Sequence, residues 1–214
     1  MASLIGLTGV SAVLFLAGAA ANHNLHFSYL LWNLFLAWLP LLVTLVLLRS
    51  LRERLWSSWL PLALTLLWLL LLPNSFYMIS DFVHLQEVQR QSVLFDAVMF
   101  TSCIFTATLL GFSSLYIMHN ELRRRFALRT SSVLVGVILF LCSFAIYLGR
   151  GLRWNSWDVL VNPAGILFDV SDRLIHPMHH GDMFTTTITF FVLLGSLYVV
   201  GWQLGEAVHQ TSER

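Results

Sequence analysis

Charged residues are scarce in this sequence, and lysine is absent. Of the 214 residues only 11% are charged and 57% are hydrophobic, whereas a soluble domain has roughly 25% charged residues. The twelve basic residues are all arginine and the formal net charge is only +1, which leaves no basic face for nucleic acid. The composition therefore excludes a soluble globular chain and indicates an integral membrane protein.

Cysteine is also scarce. Cys103 and Cys142 both fall inside apolar runs, where a thiol behaves as a small hydrophobe. Two isolated positions supply neither a disulfide framework nor a cysteine-based zinc site. No basic residue precedes the first apolar run, so we expect a retained helix there and not a cleaved signal peptide.

Long apolar runs are abundant. Six of them are long enough for transmembrane helices and far exceed the roughly ten alternating residues of a barrel strand. They predict an all-α integral membrane fold, a six-helix transmembrane bundle that forms a single domain over 1–214. The predicted spans are about 3–21, 29–48, 56–72, 92–118, 131–149 and 183–204. Pro40 is expected to kink the second span and Pro73 to close the third. Asn33, Ser113 and Ser114 are expected to hydrogen-bond between helices.

The distribution of arginine orients these spans. Eight arginines fall on one side, and four fall on the other: Arg90, Arg150, Arg153 and Arg173. Both termini are therefore predicted to be cytoplasmic. Two segments, 73–90 and 150–182, are then predicted on the opposite face, each with a short interfacial helix. In the second segment Asn162 and Pro163 predict the start of that helix.

The first of these segments combines an amide, a phenol, a carboxylate and an imidazole. If the chain is α-helical after Asn74, one stripe carries all four: Asn74, Tyr77, Asp81 and His84. We predict that Asp81 and His84, with Asp96 one turn inside span four, are catalytic, and that Asn74 and Tyr77 bind a substrate. A carboxylate at the position of Asp96 must be paired, hydrogen-bonded or neutral. A structural clamp to an arginine that follows span five is therefore the alternative.

The second segment begins with two arginines that can hold a lipid phosphate or a substrate carboxylate. Arg150, Arg153 and Asp158 are predicted to bind substrate, while Trp154 and Trp157 fit an aromatic belt. The alternative is that this stretch only anchors the chain, with arginine side chains extending to the headgroups.

Imidazole and carboxylate groups concentrate on the same predicted face, which favours a divalent metal such as zinc as a cofactor. The candidate ligands form two pairs, Asp81 with His84 and His176 with His180. Because Pro177 lies between the second two, a regular helix cannot pass through both. The alternative is that the histidines are solvated hydrogen-bonding residues, which is the interpretation we prefer for His23, His26 and His179.

Three blocks of sequence carry a family resemblance. They are Trp32-Asn33-Leu34-Phe35-Leu36-Ala37-Trp38 with Pro40, then Leu72 to Tyr77 with Asp81 and His84, and Tyr147 to Arg150 with Arg153 to Asp158. With these blocks the chain resembles the bacterial multi-pass membrane proteins of domain-of-unknown-function family 1361. The resemblance implies a helical protein of the bacterial inner membrane and no particular activity. A shorter likeness, to alkaline-ceramidase-type hydrolases, rests on Ser80, His84, Asp96, His176 and His180.

Three functions follow from these observations. The first is a metal-dependent hydrolase of a lipid or amphiphile, in which the metal activates water and the arginines hold an anionic headgroup. The second is a small-solute transporter or binding protein, because a short span followed by Pro73 and Asn74 is typical of broken transporter helices. The third is a non-catalytic subunit of a membrane complex. Membrane lipids are the expected partners, and nucleic acid is not.

Overall fold

The computed structural model describes residues 1–22, 25–87, 93–154, 156–176 and 180–212, and in these residues the regular structure is entirely helical. Six of the helices are long and apolar enough to cross a membrane, and two shorter helices and a 3-10 helix lie between them. The α-helices are α1 Ala2–Asn22, α2 Tyr29–Ser50, α3 Trp59–Tyr77, α4 Val93–Arg123, α5 Leu128–Gly151, α6 Asp158–Val161, α7 Pro163–Ile175 and α8 Gly181–Ser212. The predicted all-α membrane fold with six spans is confirmed.

Helix α3 does not end at Pro73 as predicted. It continues to Tyr77, and a 3-10 helix over Met78–Glu87 follows directly. Packing supports the extra turn, because Ser75 and Phe76 are buried and the Ser75 hydroxyl donates to the carbonyl of Ala37 over 3.0 Å. These contacts offset the backbone hydrogen bond that Pro73 cannot make.

The chain divides into two compact units, and the division falls inside α4. In the first unit, Met1–Ile117, α2 packs along α3, and a buried apolar cluster includes side chains of α1, α2 and α4. Hydroxyl groups join the helices at two further places. Ser11 bonds to Ser102 over 2.8 Å, and Ser114 bonds to Thr44 over 2.8 Å and accepts from the Trp68 indole over 2.8 Å. In lipid the hydrophobic effect does not drive helices together, so interhelical hydrogen bonds contribute to their association.

In the second unit, Met118–Arg214, α5 packs along α8. The facing side chains are mostly apolar, including Leu139 and Ile146 on α5 and Leu194 on α8. At one end of the pair His119 Nδ1 lies 2.9 Å from the Tyr198 hydroxyl. The two short helices α6 and α7 connect α5 to α8.

Helix α7 begins where the sequence predicts. The Asn162 side chain accepts a hydrogen bond from the Gly165 amide over 3.1 Å, and Pro163 occupies the first turn. A surface helix of a soluble protein buries apolar side chains and exposes polar ones, and α7 shows the reverse at several positions. Arg173 is buried against the protein, while Leu167, Phe168 and Ile175 are exposed, Phe168 to 73%. An apolar exposed face is typical of a helix that lies at a membrane surface.

Candidate functional site

Asp81 is one of the predicted site residues in the first unit, and its side chain is almost fully buried. Its Oδ2 accepts a hydrogen bond from Nδ2 of Asn33 on α2 over 3.0 Å. The sequence predicted Asn33 as an interhelical hydrogen-bonding residue, but it did not identify Asp81 as its partner. The bond fixes the carboxylate and connects the 3-10 helix to α2.

The predicted α-helical stripe is wrong in its second half. Asn74 and Tyr77 lie half-buried in the last turn of α3, whereas Asp81 and His84 belong to the 3-10 helix. With three residues per turn, Asp81 and His84 still point to the same side. The His84 ring lies 5.2 Å from the Tyr29 ring, in a tilted arrangement. The change of helix type at Met78 has no marker in the local sequence.

Asp96 lies in the first turn of α4, and its side chain is only 3% exposed. Asp81 and Asp96 are therefore both shielded from water, which is a different environment from that of the exposed groups in the second unit.

In the second unit, an arginine, a carboxylate and an indole connect α7 to the end of α5. Arg173 Nε donates to the Tyr147 hydroxyl over 3.0 Å, and Nη1 donates to the backbone carbonyl of Asp169 over 2.9 Å. Oδ2 of Asp169 accepts from Nε1 of Trp154 over 2.7 Å. The sequence suggested only an aromatic-belt role for Trp154. Asp169 and Arg173 are four residues apart, and this spacing on a helix could have predicted their ion pair.

Arg153 has an unusual backbone conformation. Its φ is 61°, the only positive value at a non-glycine residue in the described part of the chain. This conformation ends α5, because it lets the amide of Trp154 reach back to the carbonyl of Leu148 over 3.2 Å. Glycine is the usual residue at such a helix end. The Arg153 side chain is exposed, and within the described residues it makes no hydrogen bond or ion pair.

The other two predicted substrate-binding residues flank this point. Arg150 lies half-buried in the last turn of α5, and Asp158 is the first residue of α6, also half-buried. The Trp154 indole packs closely on α7, where a Cβ added at Gly165 would meet its Cη2 at 2.9 Å. Trp154 is thus fixed both by packing and by its hydrogen bond to Asp169.

The family described as protein of unknown function, DUF1361, matches residues 32–197. The chain belongs to this DUF1361 family. The match runs from α2 into α8 of this DUF1361 protein and includes every predicted site residue. No curated protein and no solved structure matches the chain. The likeness to alkaline-ceramidase-type hydrolases therefore has no support from these comparisons.

Two of the three histidines predicted as metal ligands in this DUF1361 protein, His176 and His180, lie beside a carboxylate. His180 Nε2 lies 3.1 Å from Oδ2 of Asp172, and His176 Nδ1 lies 4.0 Å from its Oδ1. Across the residues that the structure describes, no three His, Cys, Asp or Glu side chains come together in a group that could hold a metal. The spacing of His176 and His180 is thus explained by Asp172, which the sequence did not connect with them.

The remaining predictions concern single residues. His26 is exposed and contacts the edge of the Phe27 ring at 5.0 Å. Helix α7 ends at Ile175 and α8 begins at Gly181, so neither His176 nor His180 is part of these helices. His23, Arg90, Pro177 and His179 lie outside the described residues.

Proposed function

We propose that this DUF1361 protein binds the anionic headgroup of a membrane lipid or similar amphiphile, and that Arg153 contacts the anion. The site lies in the second unit, where α5 ends and α6 and α7 follow. By the sequence-based topology this is the extracytoplasmic face of a bacterial inner membrane. The observation that carries the proposal is the exposed Arg153 guanidinium, which has no partner among the described residues, on a residue with φ of 61°.

A left-handed conformation is energetically unfavourable for arginine. It costs roughly 1–2 kcal/mol for a residue with a Cβ, and glycine avoids this cost. A residue in such a conformation at an exposed position is a reason to look for a functional role of the side chain. A guanidinium group offers paired N–H donors that match phosphate and carboxylate geometry. Anion binding is therefore the role that fits the chemistry of this side chain.

The exposed face of α7 favours an amphiphile over a soluble anion. Leu167, Phe168 and Ile175 project away from the polar contacts that hold the helix in place. In a membrane protein, such a face lies among acyl chains or at their boundary with the headgroups. A ligand with an anionic group and an apolar tail would contact Arg153 and this face together.

Catalysis remains a prediction from the sequence. Asp81, His84 and Asp96 keep the residue types of a general acid or base, but the two carboxylates are buried. A metal-dependent hydrolase would need ligands beyond the groupings found in the described residues. Transport and membership of a larger complex also stay predictions, and the proposed headgroup binding is compatible with each of them.

The test compares wild type with Arg153→Gly and Arg153→Lys. Binding of dihexanoyl phosphatidylglycerol to the detergent-purified protein would be measured by calorimetric titration. Glycine suits the backbone conformation, so the fold should be kept while the affinity falls by at least about tenfold, because a charge-assisted hydrogen bond contributes about 1.5–3 kcal/mol. Lysine keeps the charge without the paired donors and should give an intermediate affinity.

The matched control is Arg129→Ala, which removes an exposed arginine from the first turn of α5. Its affinity for the lipid should equal that of wild type. Equal affinities of wild type and Arg153→Gly would contradict the proposal, since Arg153 would then serve only to end α5.

A further inference from the structure

We infer that His119 makes one contact in the second unit sensitive to acid, and that protonation of its imidazole separates the last turns of α4 from the last turns of α8. Both helix ends lie on the face that the sequence predicts to be cytoplasmic. The inference does not depend on lipid binding at Arg153.

The contact is formed by side chains that recur every four residues, and therefore lie on one side of each helix. His119 Nδ1 of α4 is 2.9 Å from the Tyr198 hydroxyl of α8, and the His119 ring centroid is 4.2 Å from that of Trp202. One turn further along α4, the Arg123 guanidinium lies 5.1 Å from the centroid of the same Trp202 ring. Arg123 also bonds to Glu206 over 3.1 Å. The contact thus has a histidine at one end and an ion pair at the other.

The histidine end is buried and the ion-pair end is not. His119 and Tyr198 are 4% and 7% exposed, whereas the side chains of Arg123 and Glu206 are 36% and 47% exposed. An exposed ion pair contributes little to stability, and a hydrogen bond shielded from water is stronger than one in water. The state of the His119 ring therefore decides whether the two helix ends stay together.

The surroundings of His119 suit the neutral imidazole. Its Nε2 is buried, and among the described residues it has no hydrogen-bond partner. A neutral ring carries one proton, so Nδ1–H can donate to the Tyr198 hydroxyl while Nε2 stays an unprotonated acceptor. Protonation adds an N–H group at Nε2, and a buried charge without an acceptor is costly.

The neighbouring titratable groups do not remove this cost. Arg123 opposes a second positive charge, and Glu206, which favours one, is exposed and already bonded to Arg123. The Tyr198 hydroxyl accepts from Nδ1–H in both states of the ring. When the helix ends separate, water can hydrate the charged ring, so the open state binds a proton more readily than the closed state. A fall in pH therefore favours the open state, and a rise restores the contact.

The test measures backbone amide hydrogen exchange of the full chain in detergent at about pH 5 and about pH 8, on either side of the ordinary imidazole pKa of about 6.5. Protection factors, which are corrected for the intrinsic effect of pH on exchange, are compared for residues 199–207. In wild type they should fall about tenfold at the lower pH, since one proton changes an equilibrium by at most about tenfold per pH unit. Amides around Leu194, which is buried on α8, should keep their protection.

Three variants identify the responsible group. His119→Gln supplies an amide that can bond to Tyr198 and does not titrate, so protection should be equal at the two pH values. His26→Gln is the matched control, because it removes an exposed histidine of the first unit, and it should respond as wild type does. Glu206→Gln leaves His119 in place and should also keep the response.

Three results would overturn the inference. The first is equal protection of wild type at the two pH values, which needs no variant to be informative. The second is a response that persists in His119→Gln. The third is a response lost in Glu206→Gln, which would assign the pH dependence to the carboxylate.

Discussion

Asn33 on α2 donates a hydrogen bond to the Asp81 carboxylate across 3.0 Å, joining a transmembrane helix to the 3-10 helix that follows α3. The Asp81 side chain is only 1% exposed. Burial of an ionised carboxylate is costly unless donors replace the water it loses. The Asn33 side-chain amide supplies one such donor and therefore stabilises this part of the first unit.

Removal of this donor should destabilise the protein. Asn33→Ala is expected to lower the free energy of unfolding by about 1–3 kcal/mol, because the buried Asp81 carboxyl group loses a hydrogen-bond donor. Unfolding in mixed micelles of increasing dodecyl sulfate content would measure the change. Ser113→Ala is the control, since within the described residues the half-buried Ser113 makes no side-chain hydrogen bond. A loss no larger than that of the control would contradict the prediction.

Close approach of α3 and α4 depends on Gly111. A Cβ added there would lie 2.8 Å from Cβ of Ser75 and 2.9 Å from the Phe76 ring. Gly111→Ala should therefore lower the free energy of unfolding by about 1–3 kcal/mol, the usual cost of overpacking. Gly136→Ala on α5 is the matched control, because no atom lies within 4 Å of its added Cβ, and alanine there should be neutral or stabilising. Equal stability of the two variants would show that α3 and α4 can separate without cost.

The attachment of α7 should depend on the bond between Arg173 and Tyr147. Tyr147→Phe leaves the buried guanidinium without its phenolic acceptor, at a cost of about 1.5–3 kcal/mol for a bond to a charged group. Amide hydrogen exchange in α7 should become faster, while exchange in α2 should not change. Ser132→Ala provides the control, because among the described residues its exposed hydroxyl bonds only to the Leu128 carbonyl of its own helix. Unchanged exchange in α7 would mean that the hydrogen bond from the Trp154 indole to Asp169 and the Asn162 cap are sufficient to hold the helix.

The sequence predicts the six spans well because each is a continuous local signal. Hydropathy over about twenty residues decides whether a helix can cross a membrane, and the cap at Asn162 is equally local. The site depends on longer-range contacts. Asn33 and Asp81 are separated by 48 positions, and no local pattern connects them. The grouping of His176 and His180 with Asp172 likewise has no marker in the local sequence.

The position at which α5 ends also depends on contacts that the local sequence does not reveal. The predicted fifth span ends at Gly149, and glycine is favoured at helix C-termini. In the structure Gly151 is the last helical residue, and the left-handed conformation falls two residues later, at Arg153. The reach of the Trp154 amide to Leu148 and the contact of its indole with α7 fix this position, and neither can be inferred from composition or spacing.

Arg153→Gly should therefore leave the free energy of unfolding unchanged or raise it by up to about 1 kcal/mol. Glycine removes the steric cost of φ at 61°, and part of this gain is offset by the greater freedom of glycine in the unfolded chain. Arg153→Ala keeps the steric cost and should not gain stability, so it is the matched control. The measurement is the same micelle titration, in detergent free of added lipid. A loss of stability in Arg153→Gly would mean that the side chain anchors the end of α5, which would contradict a role in binding. A gain together with weaker lipid binding is the combination expected of a residue kept for its ligand.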